Sequence, residues 1–211
     1  FATLQLAEGT DIYTVSNAEA NGITVKNTPK ASSQSVAELA MGHMFSCARY
    51  LSIAGHTMRE GKWEKKAYGK GIELQGKTLG IIGFGRIGQH LGVMAKAIGM
   101  NVIAYDLYPN ESGRALADYV TQDELFAKAD VISLHCNLTP ENTGLINREN
   151  IAKMKDGVIL LNNARGQLIN ESDLAEALFS GKVAAAGLDV VSTEPIKADN
   201  PLLKAPNCII T

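Results

Sequence analysis

Glycines recur at the first, third and sixth positions of the segment Gly83-Phe-Gly-Arg-Ile-Gly88. In such a segment the first glycine permits a tight turn, Gly85 lets backbone approach a pyrophosphate, and Gly88 lets a helix pack on a strand. Backbone N–H groups of a helix that begins near Arg86 and Ile87 would face the phosphates at the favourable end of the helix dipole. The pattern follows an uncharged apolar run and opens a segment of helical period, which is the context that this mechanism requires. We therefore predict a dinucleotide-binding loop.

A carboxylate stands where such a loop needs a partner for ribose. Asp106 comes eighteen residues after Gly88, at the end of the second predicted strand. It can accept hydrogen bonds from both ribose hydroxyls, and it would repel a 2′-phosphate. None of the three residues that follow is basic, and the nearest cation is Arg114. The pattern favours NAD over NADP as the cofactor, with a solvated strand-end aspartate as the alternative.

The elements that position these residues alternate along the chain. Apolar runs predict strands at 78–82, 101–105, 119–120, 131–136, 158–162, 184–190 and 208–211. Helices are predicted at 86–98, at 121–128 behind a capping box, and at 170–181 between an asparagine cap and a closing glycine. Residues 109–113 are predicted to form a turn. Strands separated by helices predict an α/β fold with a doubly wound parallel sheet of the Rossmann type.

The pattern upstream is different. Ser35-x-x-Glu38 has the form of a capping box, and it predicts one long amphipathic helix that ends before Gly61. Strand-like runs at 4–6 and 23–25 do not join the alternation. We interpret residues 1–30 as the tail of a different domain, with the crossing at 27–30, and residues 31–211 as the dinucleotide-binding domain. The first residues have no initiator Met and no basic flank, so they do not predict a signal peptide.

Composition limits the possible partners. The chain has 211 residues, of which 45% are hydrophobic and 20% charged, as in ordinary globular proteins. Its net charge near −2 predicts no nucleic-acid and no membrane partner, and it favours a small molecule. The three cysteines show no C-x-x-C spacing, so we expect thiols in a reducing cytoplasm. The four histidines show no metal-ligand spacing, and we predict no metal site.

Three motifs occur in one order along the chain: 76–88 with its glycines, Leu161-Asn-Asn-Ala-Arg-Gly166, and Ala186-Gly-Leu-Asp-Val190 followed by Glu194 and Pro195. Together they resemble the D-isomer-specific 2-hydroxyacid dehydrogenases, which include phosphoglycerate, glycerate (hydroxypyruvate) and D-lactate dehydrogenases. Residues 191–195 and 200–203 are similar to the glycerate enzymes, and 23–29 and 33–39 to the phosphoglycerate enzymes. The resemblance implies that residues 1–30 are the remnant of a substrate-binding domain.

The resemblance also implies roles in catalysis. Arg165 would bind the carboxylate and carbonyl oxygen of a 2-oxoacid, a task suited to the paired donors of a guanidinium. Glu194 would pair with an acid/base histidine, which the family places in a Pro-His step after the last strand. That step would follow Thr211, so we expect the 211 residues alone to be inactive. Residues 7–11 stand where the family has a Gly-x-Gly-x-Asp substrate loop, but Ala7 replaces the first glycine and the next residue is the charged Glu8.

For the cofactor, the resemblance implies that Asp189 contacts the nicotinamide carboxamide. It places His135, Asn163 and Ala164 around the dinucleotide as well. The implied reaction passes a hydride between C4 of nicotinamide and C2 of a D-2-hydroxy acid. A cytoplasmic homodimer joined through the NAD-binding domain is the expected form.

Three other interpretations stay open from the sequence. The chain could be an NAD(H)-sensing interaction protein of the corepressor type, because those proteins share the fold and its motifs. It could be an excised cofactor-binding domain without turnover. Formate dehydrogenases are similar too, but they have glutamine where Glu194 stands.

Overall fold

The computed structural model describes residues 18, 20–22, 24 and 31–211. The strand-like run at 4–6, the loop at 7–11 and the crossing at 27–30 lie outside the described residues, as does the run at 23–25 apart from Thr24. The division of the chain at residue 30 therefore stays a prediction.

Within the described residues, seven strands form one parallel sheet in the order β3-β2-β1-β4-β5-β6-β7. The strands are β1 (Thr78–Ile82), β2 (Asn101–Tyr105), β3 (Asp118–Tyr119), β4 (Val131–Leu134), β5 (Val158–Asn162), β6 (Val183–Leu188) and β7 (Cys208–Ile210). The order reverses between β1 and β4, where the chain crosses from one half of the sheet to the other. The predicted doubly wound parallel sheet is confirmed.

The helices cover both faces of this sheet. They are α1 (Ser33–Arg49), α2 (Leu51–Arg59), α3 (Lys65–Tyr68), α4 (Arg86–Ala97), α5 (Glu111–Arg114), α6 (Gln122–Lys128), α7 (Arg148–Lys153) and α8 (Glu171–Ser180). Short 3-10 turns lie at Pro140–Asn142, Gly166–Leu168 and Pro201–Lys204. One apolar cluster joins the sheet to α1 and α4, and a second joins it to α6, α7 and α8. Strands β4 and β5 are buried along their whole length because they are covered on both faces.

The prediction of one long helix before residue 61 is wrong. Tyr50 has a φ of 57° and separates α1 from α2. The predicted capping box does not form either, since α1 already begins at Ser33 and the hydroxyl of Ser35 donates to the carbonyl of Ser32 at 2.9 Å. Apolar periodicity continues through a single left-handed residue, so the pattern could not show the break.

The other predicted elements agree with the structure to within a few residues. The Thr121 capping box and the Asn170 cap are confirmed, and Gly181 closes α8 with a φ of 78°. The turn expected at 109–113 contains a short helix capped by Asn110. Strands β4, β6 and β7 end earlier than predicted, and β3 is shifted by one residue. The apolar residues after β4 and β6 belong to loops that leave the sheet at its carboxyl edge.

Candidate active site and cofactor-binding site

All five loops that carry predicted site residues leave the same edge of the sheet. Gly83 follows β1, Asp106 follows β2, His135 follows β4, Asn163 follows β5, and Asp189 follows β6. The strands are parallel, so their carboxyl ends meet at one edge. In open α/β sheets ligands bind outside this edge, where the strand order reverses. Here the reversal lies between β1 and β4, beside the glycine-rich loop.

The three glycines meet different steric demands. Gly83 has a φ of 89°, and a Cβ there would lie 2.6 Å from the carbonyl carbon of His135. A Cβ on Gly88 would lie 2.6 Å from the carbonyl oxygen of Gly83, so the start of α4 packs directly on the loop. Gly85 is different, because no atom lies within 4 Å of its ideal Cβ position. The open space at Gly85, together with the backbone of Arg86 and Ile87 at the start of α4, fits a pyrophosphate.

The carboxylate of Asp106 ties two loops together. Its Oδ2 accepts from the backbone N–H of Phe84 at 2.7 Å, and its Oδ1 accepts from the N–H of Tyr108 at 2.8 Å. Each carboxylate oxygen has a second lone pair, so both can still accept from ribose hydroxyls. Leu107 and Tyr108 are 72% and 83% exposed, and no base stands among residues 107–109 to pair with a 2′-phosphate.

His135 is held as a neutral ring beside the glycine-rich loop. Its Nε2 lies 2.8 Å from the hydroxyl of Ser133, while its buried Nδ1 has no hydrogen-bond partner. Burial lowers the pKa of His135 to about 4, so the ring carries no charge near neutral pH. An uncharged histidine of this kind suits a neighbour of the cofactor better than an acid.

Two consecutive asparagines follow β5 and have different surroundings. The amide of Asn162 donates to the carbonyl of Arg165 at 2.9 Å and accepts from the N–H of Ala164 at 3.1 Å. Asn162 thereby shapes the turn that carries Arg165, a role that the sequence did not assign to it. Asn163 is only 7% exposed, and neither its amide nitrogen nor its amide oxygen has a hydrogen-bond partner. A buried amide that lacks both partners fits a ligand that offers a donor and an acceptor, as a carboxamide does.

A second buried polar group near this position is His43, on α1. Its Nε2 lies 3.2 Å from the hydroxyl of Thr211, and its Nδ1 has no partner at hydrogen-bonding geometry. Burial lowers the pKa of His43, while the negative charge of Asp189 and the side chain of Asn163, which lies close to the ring without a well-formed hydrogen bond, act to raise it. No motif assigned a role to His43. The only available signal was a histidine within the apolar stripe of the helix.

Arg165 and Glu194 lie on the same cleft, which has a volume of about 270 Å³. Residues 165–167, 190–192 and 194 line it. The guanidinium of Arg165 is exposed, and its Nη1 donates to the carbonyl of Ala164 at 2.7 Å. The carboxylate of Glu194 accepts from the backbone N–H of Val191 at 3.3 Å. The fold therefore brings together the two residues to which the motifs gave catalytic roles.

Two kinds of feature are absent from residues 18, 20–22, 24 and 31–211. This part of the chain has no group of three or more His, Cys, Asp or Glu residues that could hold a metal ion. It also has no helix of the length and apolarity needed to cross a bilayer. The cysteines Cys47, Cys136 and Cys208 are thiols, and burial raises the pKa of each, to about 12, 11 and 12 respectively.

A doubly wound parallel sheet, with a glycine-rich loop and a strand-end aspartate at its reversal point, defines a dinucleotide-binding domain of the Rossmann class. Residues 41–211 match the family model of the D-isomer specific 2-hydroxyacid dehydrogenase, NAD binding domain. The chain belongs to this family, and its cofactor is NAD.

Curated relatives support the same placement. The chain is 53% identical to a hydroxypyruvate reductase of Blautia hydrogenotrophica, over 98% of its own length and 66% of the relative. It is 50% identical to a D-3-phosphoglycerate dehydrogenase of Methanocaldococcus jannaschii, over 96% of its length and 39% of the relative. The chain thus spans between about two fifths and two thirds of these relatives.

A solved structure of D-lactate dehydrogenase with NAD⁺ from Lactobacillus jensenii superimposes with a TM-score of 0.85. Its sequence identity is 31%, and the match covers 98% of this chain and 66% of that one. The fold and the cofactor class are therefore shared with a protein that has NAD⁺ in its structure.

Proposed function

We propose that the protein is an NAD-dependent oxidoreductase that interconverts a D-2-hydroxy acid and its 2-oxoacid. The observation that carries this proposal is the common cleft of Arg165 and Glu194, at the edge of the sheet where the glycine-rich loop lies. Bound NAD would supply the hydride acceptor in oxidation, and NADH the donor in reduction. The protein supplies binding, orientation and charge.

Residues of the carboxyl edge would hold the cofactor. We assign the pyrophosphate to Gly83, Gly85 and Gly88 with the N–H groups of Arg86 and Ile87, and the adenosine ribose to Asp106. His135 lies beside this loop. At the nicotinamide end we assign the carboxamide to Asp189, with the unpartnered amide of Asn163 and the backbone of Ala164 beside it. The neutral state of His135 avoids placing an additional buried charge in this region.

Arg165 would orient the substrate. A planar guanidinium can donate in parallel to a carboxylate and to the adjacent carbonyl oxygen, and it stabilises charge that develops on that oxygen. Its exposure on the cleft leaves donors available, although one N–H is used by the carbonyl of Ala164. Glu194 would lie beside the family's acid/base histidine and favour its protonated form, which donates the proton in reduction.

Replacing Arg165 with lysine in the full-length enzyme tests the proposal. Lysine keeps the charge but loses the paired, planar donors. The loss of one charge-assisted hydrogen bond should lower kcat/KM for 2-oxoacid reduction by about 10-fold to 150-fold. NADH affinity should hardly change, because the cofactor binds mainly through the glycine-rich loop.

Arg148→Lys provides the matched control. Arg148 is an arginine at the start of α7 with a side chain that is 71% exposed, and it pairs with Glu176 on the surface. It should leave both kcat/KM and NADH affinity at the parent values. If Arg165→Lys reduces 2-oxoacids at the parent rate as well, Arg165 does not hold the substrate and the proposed function loses its main support.

The substrate class that we propose is that of hydroxypyruvate reductases, with D-3-phosphoglycerate as the second candidate. The names of the relatives that match at 53% and 50% identity support these two compounds. Residues 191–195 and 200–203 favour the former, as noted from their sequence. Steady-state rates with hydroxypyruvate and with 3-phosphohydroxypyruvate would separate the two.

We also propose a cytoplasmic homodimer that assembles through the NAD-binding domain. No residue of helix α2 is buried by the described part of the chain, and the helix exposes Leu51 and Met58. Trp63, just beyond it, is 76% exposed. A second copy would cover this apolar surface, and thiols at all three cysteines suit a reducing compartment. Sedimentation velocity should show a dimer, and Trp63→Glu should shift the protein toward the monomer.

A further inference from the structure

Ser192 lies in the loop after β6, and three of its groups form hydrogen bonds. Its backbone N–H donates to Oε1 of Glu171 at 2.7 Å, and its hydroxyl donates to Oε2 of Glu171 at 2.8 Å. Its carbonyl accepts from the side chain of Gln167 at 3.2 Å. Oε2 of Glu171 also accepts from the amide of Asn200 at 2.9 Å. The half-buried carboxylate of Glu171 therefore binds this loop at two places, at Ser192 and at Asn200.

Capping of its own helix does not account for Glu171. Asn170 already caps α8, because its side chain accepts from the N–H of Asp173. The three hydrogen bonds described for Glu171 instead reach residues 21 and 29 positions further along the chain. A carboxylate accepts up to about four hydrogen bonds, so three well-placed donors nearly fill its capacity. Glu171 thus acts on the loop rather than on the helix.

This loop is a wall of the catalytic cleft. Ser192 lines the cleft, and the N–H of the preceding Val191 is the donor to the carboxylate of Glu194. The opposite wall contains Arg165, and the next residue, Gly166, packs against the backbone of Val191 so closely that a Cβ would overlap it. The two walls therefore touch at their backbones, and Glu171 and Gln167 hold that contact together.

We propose that Glu171 is a positioning residue that sets where Glu194 stands relative to Arg165 across the cleft. It acts through Ser192 and does not touch the substrate. The proposal rests on the proposed function, because it assumes that Glu194 tunes the acid/base histidine. The proposal adds Glu171, a residue to which no motif assigned a role.

The test is Glu171→Gln in the full-length enzyme, with hydroxypyruvate as the substrate. Glutamine has nearly the same shape but only one acceptor oxygen, so it cannot accept from both the backbone N–H of Ser192 and the amide of Asn200, which donate to different oxygens of the carboxylate. We expect kcat/KM to fall about tenfold, the value of one charge-assisted hydrogen bond. The alkaline limb of the pH–rate profile should move to lower pH, because a displaced Glu194 raises the pKa of the histidine less.

Two further variants separate catalysis from folding. Glu176→Gln is the matched control, because Glu176 lies on the same helix and is exposed at the surface. It should leave the profile unchanged. Ser192→Ala removes only the hydroxyl and keeps the backbone bond, so it should move the limb in the same direction by less. This variant also serves as the test if Glu171→Gln does not fold.

Comparison with Glu194→Gln shows whether the positioning role of Glu171 or the proposed role of Glu194 has failed. If Glu194→Gln moves the limb but Glu171→Gln and Ser192→Ala do not, the positioning role is refuted while the proposed function stands. If Glu171→Gln lowers the melting temperature but leaves the pH–rate profile unchanged, the positioning role is refuted as well. If Glu194→Gln itself leaves the limb in place, the proposed role of Glu194 fails, whatever the other variants show.

Discussion

Replacing Asp106 with asparagine should change which dinucleotide the protein prefers. The carboxylate accepts from the N–H groups of Phe84 and Tyr108, and each of its oxygens keeps one lone pair for a ribose hydroxyl. Asparagine has a single acceptor oxygen, and its NH₂ group would face a donor. One of the two loops must therefore lose its partner, and the negative charge at the ribose is lost.

The size of the effect follows from these contacts. One charge-assisted hydrogen bond is worth about 1.5–3 kcal/mol, and the partial exposure of Asp106 argues for the lower value. NADH affinity should then fall about tenfold. NADPH loses the same hydrogen bond, but the variant also removes the repulsion between the carboxylate and the 2′-phosphate. At a few ångströms this repulsion is worth about 1 kcal/mol or more per unit charge, so its removal offsets the loss of NADPH affinity. The NADH-to-NADPH affinity ratio should therefore fall at least about fivefold to tenfold.

Calorimetric titration of parent and variant with NADH and with NADPH measures this ratio. The parent should bind NADH at least about tenfold more tightly than NADPH. Asp118→Asn is the control, because Asp118 is an exposed aspartate on the neighbouring strand β3, where it pairs with Ile103 in the middle of β2. If Asp106→Asn weakens both cofactors equally, Asp106 only supports the glycine-rich loop, and its assignment to the ribose is wrong.

Two further predictions concern protons. In the full-length enzyme, Glu194→Gln should lower the pKa of the acid/base histidine, so the alkaline limb of reduction moves to lower pH and oxidation begins at lower pH. Profiles in both directions measure this, and two unmoved limbs would make Glu194 a structural residue. Folding should depend on His135, whose pKa is about 4 in the folded protein against about 6.5 unfolded. The unfolded state alone takes up the proton as pH falls through this window, so the free energy of unfolding should fall between about pH 6.5 and 4. Urea denaturation across this range should show a smaller fall for His135→Asn, and an equal fall would contradict the neutral buried ring.

Much of the fold could be predicted because its signals are local. A strand buried on both faces needs an uninterrupted apolar run, and the runs at 78–82 and 158–162 coincide with β1 and β5. The run at 101–105 coincides with β2, where buried residues alternate with more exposed ones. The caps at Thr121 and Asn170 are equally local, since each capping side chain accepts from an N–H only three residues further along the chain. The glycine-rich loop and Asp106 were identifiable for the same reason, as their mechanism depends on fixed spacing.

The parts that could not be predicted depend on contacts between distant residues. The break at Tyr50 leaves no trace in the apolar periodicity, and the ends of β4 and β6 depend on where neighbouring strands stop pairing. His43 and Asn163 are buried polar groups because α1 packs against β5 and β6, and this packing joins residues that are far apart in the sequence. No spacing rule marks such groups.

By itself, the sequence determined the class of fold, the cofactor loop, and the residue types that the chemistry needs. Only the tertiary structure decided that Arg165 and Glu194 share one cleft, and that Glu171 holds the loop between them through Ser192. The motifs and their order were enough to identify Arg165 and Glu194, because each motif is a contiguous segment of the chain. The hydrogen bonds of Glu171 span 21 and 29 residues, and they exist because parallel strands deliver distant loops to one edge of the sheet.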